Sequence, residues 1–209
     1  MQPLKTYRIE TERLVIRCYK PVDAPLLKKS VDENLEHLAP WMPWIKFEPE
    51  TLQAKSDRIA AFIRKYTIGE DFTMGIFNKE ETMLLGGTGL HTRLEGNALE
   101  IGYWLHKDYI NKGMITENVN ALTKVAFEIE GIDRLEIHCD ERNIASARVP
   151  QKCGFSLREI RIGNAKDNDG NDRNTMIWEL SRAAYLGNPL SSNAIRAFDV
   201  DGKKILTFL

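Results

Sequence analysis

The 209-residue sequence holds only three cysteines, and no two of them form a Cys-x-x-Cys pair. Cys18, Cys139 and Cys153 are an odd set without ligand spacing, which excludes a disulfide frame and fits reduced thiols in a cytosol. No apolar run approaches the roughly 20 residues that cross a bilayer. Met1–Thr6 places no hydrophobic stretch behind Lys5, so neither a membrane span nor a signal peptide is expected. There is no dense Lys/Arg block, and the formal net charge is -1, so nothing electrostatic calls for nucleic acid. Gly-Lys-Ser/Thr is absent, which excludes a P-loop. Gly86-Gly87-Thr88-Gly89 lies in an apolar strand pattern with no helix after it and fails the dinucleotide fingerprint. Asp167, Asp169 and Asp172 suggest calcium only superficially. Aligning Gly170 to the EF-hand glycine puts Ala165 at the first ligand position, so this segment reads as a turn and no metal is expected.

What is present is the balance of an ordinary soluble domain, 43% hydrophobic and 28% charged, long enough to bury a core without staples. A cytoplasmic protein is the expectation. Leu14–Cys18 reads as a first strand, and Pro21 opens a helix carrying Leu26, Leu27 and Val31. A tryptophan-rich turn, Pro40-Trp41-Met42-Pro43-Trp44, precedes a helical pattern at Ile59, Phe62, Ile63 and Tyr66. Phe72–Phe77, Met83–His91 and Ala98–Leu105 read as an antiparallel meander. A periodic helix follows, with Ile115, Val119, Leu122, Ala126 and Ile129 on one face and Gly131 as its stop. Leu135–Cys139 then completes a strand–helix–strand unit. A short helix after Asn143 leads to strands near Phe155–Ile162 and Thr175–Leu180. A meander followed by one βαβ unit indicates an α/β (α+β) domain with a mixed, mostly antiparallel sheet and flanking helices. The main domain is expected over 1–182. The tail, 183–209, carries a hairpin signal around Asp201-Gly202, which would cover a sheet edge or pair with another subunit.

The junction Asn111-Lys112-Gly113-Met114-Ile115-Thr116 joins the end of a strand to the start of that long helix. A helix N-terminus offers unpaired N–H groups and the positive end of its dipole, a ready phosphate site. Gly113 lets the backbone approach a ligand, Lys112 adds charge and Thr116 a hydroxyl. On spacing alone, a plain loop before a helix is the alternative.

Glu100-Ile101-Gly102-Tyr103-Trp104-Leu105, the 111–116 junction, Asn143-Ile144-Ala145-Ser146 and Cys153-Gly154-Phe155, in this order and spacing, resemble the GNAT superfamily of N-acetyltransferases. Thr11-Glu12-Arg13-Leu14 and the Pro40–Trp44 turn resemble its RimJ/RimL branch, the ribosomal-protein N-terminal acetyltransferases and their relatives. The resemblance covers about Thr11 to Leu180. It implies a central sheet split at a bulged, splayed strand, with acetyl-CoA as co-substrate. The pantetheine arm would bond backbone around Trp104 and Leu105, and the pyrophosphate would rest on the amides of Lys112, Gly113, Met114, Ile115 and Thr116, beside Asn111. Ile110 and Ile115 depart from the usual Gln/Arg-x-x-Gly-x-Gly/Ala loop, which leaves the main chain to do the binding.

Acetylation requires a neutral amine, and α-amino groups hold their proton to about pH 7.7–8.0. Strand alternation puts Glu100 on one face with Gly102 and Trp104. The resemblance makes Glu100 the general base, against the alternative of a salt-bridged strand carboxylate. The position of the family's proton-donating tyrosine is occupied by Pro150, which cannot donate to the carbonyl of Ser146 and should kink the helix. Ser146 is the nearest substitute acid. Asn143 is a helix N-cap that the family places near the coenzyme. His138 and Asp140 read as a half-buried polar strand face, and Cys139 faces the core, against a covalent acetyl-cysteine route. Trp41 and Trp44 either wall the amine pocket or pack the core. The expected activity is direct acetyl transfer from acetyl-CoA to a primary amine, a protein N-terminal α-amine (ribosomal or other) ahead of a polyamine or antibiotic. A silent acyl-CoA-binding module is the alternative of another class. An exposed sheet edge and the tail leave room for a homodimer.

Overall fold

A computed structural model describes residues 2–187 and 194–208. Its frame is one ten-stranded sheet in the order β10-β9-β1-β2-β3-β4-β5-β6-β8-β7. The strands are β1 (Arg8–Glu10), β2 (Leu14–Cys18), β3 (Phe72–Asn78), β4 (Leu84–His91), β5 (Ala98–Leu105), β6 (Arg134–Asp140), β7 (Ser156–Lys166), β8 (Asp172–Ser181), β9 (Ile195–Phe198) and β10 (Lys204–Phe208). Every neighbouring pair is antiparallel except β5 and β6, which run parallel because the long helix α4 (Met114–Glu128) carries the chain back between them. β7 and β8 run past the apolar pattern into the polar stretches 163–166 and 172–174, mostly exposed on β7 and largely half-buried on β8.

Helices cover both faces. On one, α4 buries Val119, Leu122 and Ala126 fully, as its periodicity requires, and packs with α5 (Ile144–Lys152) over Leu99, Ile101, Leu135 and Ile137. On the other, α1 (Ala24–Asp32) and α3 (Leu52–Thr67) enclose a smaller core of Val15, Tyr19, Leu27, Val31, Ile59 and Phe77. Between α1 and α3 run the one-turn helix α2 (Leu35–Leu38) and a 3-10 turn at Pro43–Phe47, so the tryptophan-rich segment lies beside this second face. A last short helix, α6 (Arg182–Leu186), follows β8.

The tail hairpin forms at the expected Asp201-Gly202 turn, where Gly202 has φ +78° and the Asp199 carboxylate accepts from the amides of Asp201 and Lys203. Of the two fates its sequence left open, it covers a sheet edge: Arg196, Ala197 and Phe198 pair with Glu10, Ile9 and Arg8 of β1.

Candidate active site

β5 is held by β4 in unbroken register from Glu100 to Leu105, opposite His91 to Gly86. Its parallel pairing with β6 covers only Ala98–Glu100. Beyond Glu100 the two strands part, and this is where the expected split lies. A cavity of about 850 Å³ runs through it. Alternation along β5 gives the cavity two chemically different sides, Tyr103 toward α5 and Glu100, Gly102 and Trp104 toward α1 and α3.

On the α5 side, Pro150 sits inside the helix and leaves the Ser146 carbonyl without its amide partner. The Tyr103 hydroxyl supplies the missing bond, donating to that carbonyl at 3.1 Å and lying 3.2 Å from Ser146 Oγ. Burial pushes the Tyr103 phenol well above its ordinary range, so it stays protonated and able to donate. Sequence reasoning missed Tyr103 because it sought the acid on the helix. Alternation puts Tyr103 on the helix-facing side of β5, but only the packing of β5 on α5 brings it to the carbonyl that Pro150 frees. Asn143 is the N-cap of α5, its Oδ1 accepting from Ser146 N at 3.0 Å. Burial raises the thiols of Cys139 and Cys153 above the ordinary cysteine range.

The 111–116 junction lies at the far end of β5, outside the cavity wall. Asn111 (φ +59°) and Gly113 (φ +75°) turn the chain sharply into α4, so the amides of Met114, Ile115 and Thr116 open the helix without a carbonyl behind them. The turn is tied to the β1–β2 corner. Arg13 donates to the Lys112 carbonyl at 2.8 Å and pairs with Glu117 at 2.6 Å, and Thr11 Oγ1 donates to Glu117 at 2.5 Å. The Thr11–Leu14 motif thus has a physical task, holding the first turn of α4 in place. Lys112 Nζ is turned back to the Asp108 carbonyl at 2.7 Å and lies over the Tyr109 ring, which leaves main-chain amides as the principal donors for a pyrophosphate.

On the opposite side the polar groups form a row across the sheet. Glu100 faces Arg93 Nη1 at 3.2 Å and His138 Nδ1 at 3.7 Å, while His138 Nε2 meets Glu136 at 2.7 Å. His91, directly across from Glu100, is held through Nδ1 by Asp71 at 2.8 Å. Burial pushes the Asp71 carboxyl upward, but its bonds to His91 and Thr73 outweigh this and hold it below the usual range. Asp140 does not join the row, since Arg142 occupies both its oxygens at 2.7–3.2 Å. His138 does join it, half-buried between Glu100 and Glu136. Trp104 lies flat over Gly87, where a Cβ would come within 2.3 Å of its indole nitrogen.

Trp41 and Trp44 line the cavity, and Trp44 meets Trp104 edge-on with ring centroids 6.2 Å apart. Their turn is clamped from across the cavity. Asn168, at the tip of the β7–β8 hairpin, donates to the carbonyls of Ala39 and of Met42, the latter at 3.2 Å. The Asp167–Asp172 stretch that superficially suggested calcium is a tight turn, with Asp167 Oδ1 accepting from the amides of Asp169 and Asn171.

Comparison with known proteins agrees with this geometry. The acetyltransferase (GNAT) domain family matches residues 13–156. The Bacillus subtilis protein named "Probable N-acetyltransferase YjcK" is 30% identical over 142 residues, 66% of this chain and 74% of that protein. The [ribosomal protein uS5]-alanine N-acetyltransferase of Escherichia coli is 27% identical over 166 residues, 77% of this chain and 81% of that one. Mycobacterium smegmatis RimJ, solved in complex with CoA-disulfide, shares the fold at a TM-score of 0.78 with 17% identity, over 91% of this chain and 94% of that chain. The chain belongs to the GNAT acetyltransferase family and is an acetyl-CoA-dependent N-acetyltransferase.

Proposed function

We propose that the acceptor is the α-amine of a protein N-terminus, acetylated directly at the mouth of the split. One observation carries the reading. The cavity passes from the tryptophan-walled side to Tyr103 and Ser146, so an extended chain can enter on one side while the thioester arrives from the other. The relative that acts on ribosomal protein uS5 supports a protein acceptor.

In this reading the pyrophosphate of acetyl-CoA rests on the first-turn amides of α4 between Asn111 and Thr116, beside Lys112, Gly113, Met114 and Ile115. The pantetheine runs along the β5 backbone at Trp104 and Leu105 and passes Asn143. Glu100 draws the ammonium in and begins the removal of its proton. The tetrahedral adduct collapses as the C–S bond breaks, and sulfur receives a proton from the Tyr103–Ser146 hydroxyl pair. A coenzyme thiol similar to free cysteine, with a pKa of about 8.5, needs little help to leave. The catalytic unit is residues 1–182, and the tail braces its β1 edge.

A thiol-release assay over N-terminal peptides, polyamines and lysine-bearing peptides tests the acceptor. Turnover at least about 10-fold faster with an N-terminal peptide than with any side-chain or small amine is expected, a margin of about 1.4 kcal/mol. Preference for a polyamine would overturn the reading.

A further inference from the structure

The row on the acceptor side contains a group the reading above does not use. His91 is buried on β4 with its Nδ1 held by Asp71, and its ring lies against two glycines of adjacent strands. A Cβ at Gly102 would come within 2.8 Å of His91 Nε2, and one at Gly89 within 2.9 Å. Both residues on which the imidazole rests therefore lack side chains, and no side chain bonds Nε2 among the described residues. Gly102 is two residues beyond the last β5–β6 pair, at the start of the split. A carboxylate on Nδ1 fixes the tautomer that carries its proton there and leaves Nε2 as the ring's acceptor, on a residue that lines the cavity.

We propose that the His91–Asp71 pair is the final acceptor of the amine proton, which deepens the proposed function and rests on its assignment of Glu100 to the ammonium. Glu100 attracts the cation, and His91 Nε2 takes the proton. The chemistry favours this division. Imidazole is the side chain most often used as a general base, and the Asp71 carboxylate on Nδ1 stabilises the imidazolium that forms. One proton thus passes from R–NH3+ to Nε2, and the freed electron pair attacks the acetyl carbon. The C–N bond forms, the C–S bond breaks, and the second nitrogen proton replaces the one that the Tyr103–Ser146 hydroxyl pair gives to sulfur. His91 then returns its proton to water. Asp71, Arg93, Glu100 and His138 surround this path, and across the cavity Lys55, Arg58 and Glu48 are engaged in ion pairs within their own wall.

The test compares His91→Gln, His91→Ala, Asp71→Asn and Glu100→Gln in the full-length enzyme, by thiol release from about pH 6 to 9 with the best acceptor of the panel. His91→Gln should lose about 100-fold in kcat near neutral pH, less as pH rises, with acceptor KM nearly unchanged. Asp71→Asn should lose about 10-fold in the same sense. Added imidazole should restore part of the His91→Ala loss, which a packing role would not allow. Nitrogen-15 spectra of the wild-type imidazole, independent of any acceptor, should place the proton of neutral His91 on Nδ1. A wild-type pH profile in His91→Gln, or the proton on Nε2, overturns the proposal. If Glu100→Gln alone abolishes the pH dependence, the assignment of Glu100 stands and that of His91 falls. If Glu100→Gln raises only KM while His91→Gln follows the expected pattern, His91 alone is the base.

Discussion

The two sides of the split are built by opposite means. The side proposed for the acetyl donor is made of backbone and short-range sequence: first-turn amides of α4, the edge of β5, and a hydroxyl pair joining β5 to α5. The acceptor side is made of side chains from distant segments, including Trp41 and Trp44, Asp71, His91, Glu100, His138 and the clamp from Asn168. Recognition of a fixed co-substrate needs only main-chain donors in a fixed turn, which tolerates Ile110 and Ile115 where the family carries other residues. Handling a proton needs charged groups at fixed separations, and cross-strand register supplies them.

Substitutions on the two sides should therefore fail differently. The largest effect is expected for His91→Gln, whose loss of about 100-fold in kcat at neutral pH should leave acetyl-CoA affinity intact by calorimetry, while Glu100→Gln should chiefly raise the acceptor KM, about 10-fold. Gly113→Val should do the reverse. The space at Gly113 is adequate, with Arg13 Nη2 3.6 Å from a Cβ, but φ is +75°, and an L-residue there costs about 1–2 kcal/mol. Acetyl-CoA binding should weaken about 10-fold while the pH profile keeps its shape. Tyr103→Phe leaves the Ser146 carbonyl unpaired, so it should lower the urea unfolding free energy by about 1 kcal/mol and kcat several-fold.

The smallest effect concerns stability and not turnover. Burial pushes Asp140 up, but its bonds from Arg142 hold it below the ordinary carboxylate range. Its folded-state pKa is depressed, so its stabilisation is present above the unfolded value and lost as pH falls through the folded one. The urea midpoints of wild type and Asp140→Asn should differ most above about pH 4 and converge in acid.

Legibility in the sequence follows the same division. The meander, the βαβ unit and α4 were readable because each rests on local periodicity, and Asn143 because an N-cap is set by its own helix. The place of Glu100 on the same face of β5 as Gly102 and Trp104 was readable from alternation. Tyr103 needed the link between a proline at position 150 and a carbonyl four residues earlier, which only packing of β5 on α5 reveals. His91 and Asp71 carried no signal, because they are 20 residues apart and meet only when β3 and β4 pair. Lys112 was placed correctly in the chain, yet its side chain turned to the nearer carbonyl of Asp108.

The C-terminal hairpin is remote from the cavity, yet it is mechanically in series with the turn proposed to cradle the coenzyme. β9 holds β1, with Arg196 paired to Glu10 at 2.7 Å, and the β1–β2 corner holds the first turn of α4 through Thr11 and Arg13. Free-energy coupling between two sites is reciprocal, so a cradle that the tail steadies must in turn steady the tail when it is filled. Occupancy by acetyl-CoA should then slow amide hydrogen exchange in Ile195–Phe198, making the far edge of the sheet a reporter of coenzyme binding.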